Sequence, residues 1–190
     1  MKILGFFFTV VVVFYLGSLY WQGQDNKGTA VPQSYRTMDT LETKGIYGEG
    51  YTFKDLDGKP VAVKDYAGKI IIFSFWATWC EPCVEEFPSL IKLLETYPDD
   101  IVLFAISHDK KPDDVRNFID AFKGWKPNLK VLFDTDKAVS KALQVDLLPE
   151  GYIFDQEGML VKKILGTQDW STPGALNYFK ELITVAKKSQ

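Results

Sequence analysis

Two seven-residue runs, IIIFSFW at 70–76 and IVLFAIS at 101–107, are apolar at almost every position and rich in β-branched and aromatic side chains. That length and make-up predict strands buried on both faces, as in a sheet covered by helices. Between and after them the period changes. Phe87, Leu90, Ile91 and Leu94 recur at helical spacing over 85–97, and Val115, Phe118, Ile119 and Phe122 do so over 113–122. Ahead of the first run, 51–53 and 61–63 are short strand-like stretches joined by DLDGKP, whose Asp-Gly pair predicts a hairpin. A strand over 131–133, a short helix over 137–143, and strands over 152–154 and 159–165 complete the middle of the chain. The last two strands are separated by the turn DQEG. Thr172 as a cap, with Pro173 in the first helical position, predicts a closing helix. Strands alternating with helices in this order predict an α/β fold.

The composition suits one domain with a substantial core, 190 residues of which 46% are hydrophobic and 25% charged. The formal net charge is −3, with both signs interleaved and no basic block or aromatic-basic stripe, so nucleic acid is not an expected partner. One stretch stands apart. Residues 4–21, LGFFFTVVVVFYLGSLYW, carry no charge, and as a helix they would span about 27 Å, close to the roughly 30 Å of a bilayer core. Tyr20 and Trp21 sit where an interfacial aromatic belt belongs, and Lys2 ahead of the run orients the N-terminus toward the cytoplasm. A cleaved signal peptide is the rival reading. Leu16-Gly17-Ser18 makes a poor cleavage site and Gly28-Thr29-Ala30 lies far downstream. The expectation is a retained anchor over 1–22, a polar tether over 23–45 and a globular domain over 46–190. Either reading exports the domain.

The chemistry-bearing stretch is WATWCEPC at 76–83, which holds both cysteines of the chain. A structural zinc site needs four ligands, and two cysteines with the single His108 do not supply them. A copper site of Cys80, Cys83 and His108 stays open, although His108, in SHDKKPDD, reads more simply as a solvated loop residue. A structural staple closing so short a loop would constrain little of the unfolded chain. A redox pair fits better. Cys80 follows a buried strand and stands at a helix N-terminus, where unpaired N–H groups and the helix dipole favour a thiolate; Cys83 lies one turn inside. Pro82 suits the first turn, whose N–H has no helical partner. An accessible, low-pKa first thiol with a covered second one makes an attacking and a resolving sulfur.

The segment FSFWATWCEPCVEEFP resembles the active-site segment of thioredoxin-fold thiol–disulfide oxidoreductases. It is most similar to the membrane-anchored extracytoplasmic group that includes the TlpA, ResA and CcmG families. The resemblance extends over 46–190, through DLDGKPVAVKDYAGK, Pro88 and LLPEGYIFDQEG. It implies a thioredoxin-like, three-layer α/β/α fold with a central mixed sheet, an N-terminal β-hairpin and a strand–helix insertion. It implies an enzyme whose only redox group is the Cys80–Cys83 disulfide, with no metal and no other cofactor. Its partners would be a disulfide-containing protein substrate and a membrane thiol-transporting electron donor. Its place would be the inner membrane, with the catalytic domain in the periplasm or another extracytoplasmic space. The group's role in cytochrome c biogenesis would have it keep apocytochrome c thiols reduced for haem attachment. The same chemistry run as an oxidant or isomerase, and a copper-delivery module, are the alternatives.

Carried over by residue, the resemblance makes Cys80 the nucleophile and Cys83 the resolving thiol. Pro149 matches the proline that follows a cis peptide bond, presenting the Leu148 backbone to an extended substrate beside an exposed Trp79. Two positions depart from thioredoxin itself. Ser74 replaces a buried aspartate, and Glu150 stands where threonine is common. The anchored group has a carboxylate in the pattern CxxCxxE, which falls on Glu86. Three residues after Cys83, Glu86 shares its helix face and is expected to exchange a proton with it. Glu81 and Glu150 are expected to oppose the helix dipole at Cys80, while Glu85 faces solvent.

Overall fold

The structure, a computed structural model, describes residues 45–48, 50–134 and 137–188. The expected anchor, and the tether up to residue 44, lie outside the described residues. Among the described residues no helix is long and apolar enough to cross a membrane.

The elements are β1 (Thr52–Asp55), β2 (Pro60–Ala62), β3 (Ile70–Trp76), α1 (Glu81–Thr96), β4 (Ile101–Ser107), α2 (Pro112–Phe122), β5 (Leu129–Phe133), α3 (Ala138–Ala142), β6 (Glu150–Phe154), β7 (Leu160–Leu165) and α4 (Pro173–Lys188). Seven strands form one sheet in the order β2-β1-β5-β4-β3-β6-β7. β3, β4 and β5 are mutually parallel, and the others pair antiparallel, so the sheet is mixed as expected. Both parallel steps, β3 to β4 and β4 to β5, move in one direction across the sheet. Right-handed crossovers therefore put α1 and α2 on the same face.

Strand alternation divides the core in two. Ile70, Ile72 and Trp76 face α1, α2 and α4, together with Phe87, Leu90, Val115, Ile119 and Phe179. Ile71, Phe73 and Phe75 face the other way, toward Phe53, Val63, Tyr152 and the α3 residues Val139 and, just beyond it, Leu143. All seven residues of β3 and of β4 are buried, which is why both read as unbroken apolar runs. The shorter strands differ at their ends. β5 starts at Leu129 rather than 131, and β6 at Glu150 rather than 152, because pairing extends past the polar residues Lys130 and Glu150. Val63 leaves β2 for a 3-10 turn over Val63–Tyr66. Residues 45–48, read in part as tether, form a helical turn that buries Ile46 and donates its N–H to the Gly158 carbonyl at 2.8 Å. Thr172 caps α4 as expected, its Oγ1 accepting from the Ala175 N–H at 3.2 Å.

Candidate active site

β3 delivers the chain to the site through Trp76, buried against Phe87 and Phe118 with ring centroids 5.1 and 5.2 Å away. Beyond it the backbone turns, Cys80 donating its N–H to Ala77 at 3.2 Å, and Cys80 becomes the N-cap of α1. The Cys80 carbonyl accepts from Cys83 and Val84 at 3.0 and 3.1 Å, and Pro82 occupies the first turn. The two cysteines are joined in a disulfide, their Cα atoms 5.3 Å apart. Cys80 is 7% exposed and Cys83 2%, so in this oxidised state Cys80, the expected nucleophile, is only the less covered of two buried residues. Trp79 beside it is 69% exposed. Glu81 and Glu85 both lie on the open side of α1.

The loop that carries Trp79 is held by a residue the sequence reading passed over. Asp109, buried just after β4, accepts from the Thr78 N–H at 2.9 Å, the Thr78 hydroxyl at 2.6 Å and the Ser107 hydroxyl at 2.7 Å. A charged residue two positions past a nearly all-apolar strand was the available signal, because burying it requires several donors.

The Leu148–Pro149 bond is cis. Leu148 packs at the border of both apolar clusters, and the Pro149 carbonyl accepts from Gly166 at 3.0 Å, which brings the end of β7 beside it. Leu147 and Leu165 are exposed there. Ser74 is buried in β3, in register with Gly151.

Glu150 requires a correction. Along β6, Glu150, Tyr152 and Phe154 line one face, and the latter two belong to the cluster packed beneath α3, whereas the cysteines belong to the α1 side. Buried to 3% exposure, the Glu150 carboxylate accepts from the Tyr152 hydroxyl and pairs with Lys163 at 2.8 Å. Burial, and then this carboxylate, hold the Tyr152 proton well above its ordinary range. The structure turns the Glu150 carboxylate away from the disulfide's face and pairs it with Tyr152 and Lys163.

Glu86 does lie on the Cys83 side of α1 and is 4% exposed. Its Oε1 accepts from the Trp170 indole N–H, while Oε2 is buried without a hydrogen-bond partner among the described residues. Burial pushes the carboxyl up to about 7, against the opposing pull of the Trp170 indole and the Gln168 backbone N–H.

His108 is also corrected. It is half-buried rather than a solvated loop residue, with Nε2 3.0 Å from the Ser140 hydroxyl and its ring against Phe75. Ser140 in turn donates to Asp134 at 2.6 Å. Burial, then Lys137, lowers the His108 pKa. The ring borders an open cleft of about 610 Å³ lined by α3 and the segment after it. Among the described residues no three His, Cys, Asp or Glu side chains are grouped to hold a metal.

A disulfide held at the first turn of a helix beside an exposed indole, in a mixed-sheet fold that also carries a cis-proline, is placed to exchange with another disulfide or dithiol. Proteins so built are thiol–disulfide oxidoreductases of thioredoxin-like fold, and this chain is one of that class. It belongs to the AhpC/TSA family, whose pattern matches residues 49–163. It is 31% identical to the thiol–disulfide oxidoreductase ResA of Bacillus subtilis (strain 168) over 126 residues, which cover 66% of this chain and 69% of that protein. With ResA of Bacillus thuringiensis subsp. konkukian it shares 29% over 142 residues, 74% of this chain and 80% of the relative. The crystal structure of the thioredoxin domain of a thiol–disulfide oxidoreductase from Bacteroides vulgatus superposes with a TM-score of 0.59 at 25% identity, covering 70% of this chain and 93% of that one. StoA of Bacillus subtilis shares the fold, with a TM-score of 0.55 at 20% identity over 70% and 94% of the two chains.

Proposed function

We propose that the protein reduces disulfides in protein substrates outside the cytoplasm, tethered by its N-terminal apolar segment. The observation that carries the reading is Cys80 at the N-cap of α1, joined to a more deeply covered Cys83 beside the buried Glu86. In the reduced enzyme the Cys80 thiolate attacks one sulfur of the substrate disulfide, and the other substrate sulfur leaves as a thiolate. Cys83 then gives its proton to Glu86 and attacks Cys80 Sγ, expelling the second substrate sulfur as a thiolate. The enzyme ends with the Cys80–Cys83 disulfide, two electrons having passed to the substrate. A membrane thiol-transporting donor restores the dithiol. Trp79, Leu148 and Pro149 receive the substrate chain, and Glu81 opposes the helix dipole at Cys80 while Pro82 shapes the first turn. The names of the ResA relatives support the oxidoreductase chemistry. The role in cytochrome c biogenesis, with apocytochrome c as substrate, comes from the resemblance alone.

The test uses the full chain. Cys80→Ser is expected to abolish disulfide reduction of insulin, and Cys83→Ser to accumulate mixed disulfides resolved on a non-reducing gel. Full turnover in both variants would refute the assignment. A glutathione titration sets the direction, since about 30 mV corresponds to about 1.4 kcal/mol; a potential near that of strong oxidants, about −120 mV, would overturn the reductant reading.

A further inference from the structure

The lone aromatic of the polar stretch GTQDWSTP, Trp170, is buried between β7 and α4 and packs on Phe179 with ring centroids 6.1 Å apart. Both its ends reach back to the same turn of α1. Its backbone N–H donates to the Ser89 hydroxyl at 3.1 Å, and Ser89 donates to the Glu86 carbonyl at 2.8 Å. Its indole N–H donates to Glu86 Oε1. An acceptor engaged by an N–H is a poor place for a proton, so a neutral Glu86 carries its hydrogen on Oε2, the buried oxygen without a partner. Glu86 and Ser89 also border a cleft of about 410 Å³, shared with Thr167, Gln168 and Asp169, through which the carboxyl side of the helix meets solvent.

We propose that Trp170 is a positioning residue of the active site, which holds Glu86 by one carboxyl oxygen and leaves the other to exchange the Cys83 proton. The proposal rests on the reading of Glu86 as the acid/base partner of Cys83. An indole N–H stabilises the ionised carboxylate more than the neutral acid, so it works against burial and keeps the group titrating near neutrality. The other titratable groups on this side are Cys83 and Glu85 on α1, Lys162 on β7, Asp169 in the loop after β7 and Tyr178 on α4, over whose ring Lys162 lies; α4 and β6 also bring the apolar Phe179 and Ile153 to the indole. Without the indole, only the Gln168 backbone N–H still opposes burial. Losing a hydrogen bond that favours the ionised form should raise the midpoint by about one to two pH units.

The experiment is carried out on the full chain labelled with glutamate carrying carbon-13 at its carboxyl. In the oxidised protein the cysteines do not titrate, and Glu86→Gln identifies the Glu86 resonance by its loss. Trp170→Phe is expected to raise the midpoint of that resonance by about one pH unit or more. The pH profile of mixed-disulfide resolution in stopped flow should move with it, and Trp170→Phe added to Glu86→Gln should change the profile no further. A Glu86 midpoint unmoved in Trp170→Phe overturns the proposal. A midpoint that moves while the resolution profile stays put overturns instead the acid/base role of Glu86 and leaves the indole's hold on the carboxyl standing. The wild-type protein supplies a control that needs no folded variant. There the Trp170 indole proton must follow the Glu86 carboxyl carbon through one midpoint, and an indole resonance indifferent to pH overturns the proposal.

Discussion

Glu86→Gln should make the oxidised protein more stable at alkaline pH, by an amount that the environment of Glu86 sets. The folded protein raises this carboxyl from 4.5 to about 7 by burial, and each unit corresponds to about 1.4 kcal/mol between protonation states. Between those two values the folded state binds more protons than the unfolded one, so wild-type stability falls as pH rises through the window and levels off above about 7. From pH 5 to pH 8 the ionisation should therefore cost about 2–3 kcal/mol. Glutamine keeps an acceptor for the Trp170 indole and has no charge to bury. Urea unfolding of both oxidised proteins at half-unit pH steps measures the effect, and other titrating groups cancel in the difference. The advantage of Glu86→Gln should be small or negative at pH 5, where the amide's extra N–H has no partner, and should grow by about 2–3 kcal/mol by pH 8. Parallel curves across that range would show that the carboxyl is not held near neutrality and would refute the argument.

Asp109→Ala should lower the unfolding free energy by about 2–4 kcal/mol, because Thr78 and Ser107 lose their common acceptor. Asp109→Asn, which keeps one carbonyl oxygen, should recover part of the stability and of insulin-reduction activity. Lys163→Met leaves the Glu150 carboxylate buried with the Tyr152 hydroxyl and should cost about 3 kcal/mol in urea unfolding. Adding Glu150→Gln should restore most of that loss. Gly158→Ala should lower the unfolding free energy by about 2 kcal/mol or more in the same assay, since a Cβ there would sit 2.5 Å from the Tyr47 ring and the backbone φ is +80°.

The parts of the fold that were legible are those whose signal is local. β3 and β4 coincide with the apolar runs because both faces of each strand are covered. The Cys80 cap and the α4 start were legible for the same reason, being set by neighbours in sequence. What stayed hidden depends on distant residues. Trp170 and Glu86 are 84 positions apart, and Asp109 and Thr78 are 31 apart; no periodicity reports such a meeting. Glu150 is a different kind of miss. Starting β6 at 152 left its parity unassigned, while extending the strand over EGYIF would have put Glu150 on the Tyr152 side, away from the cysteines.

The borders of the sheet have a consequence for a protein proposed to reduce disulfides in other protein chains. An open edge of backbone donors and acceptors invites a stray strand to pair with it, and such pairing propagates into aggregates. Here one border is β2, three residues long and opening on Pro60, which has no N–H to offer. The other is β7, whose middle carries Lys162 and Lys163, the second paired with Glu150. Neither border is a comfortable template. On the proposed function, a substrate chain would then be held at the disulfide end, where the hold is brief and ends with the exchange of sulfurs, rather than at an edge that could retain it as an eighth strand.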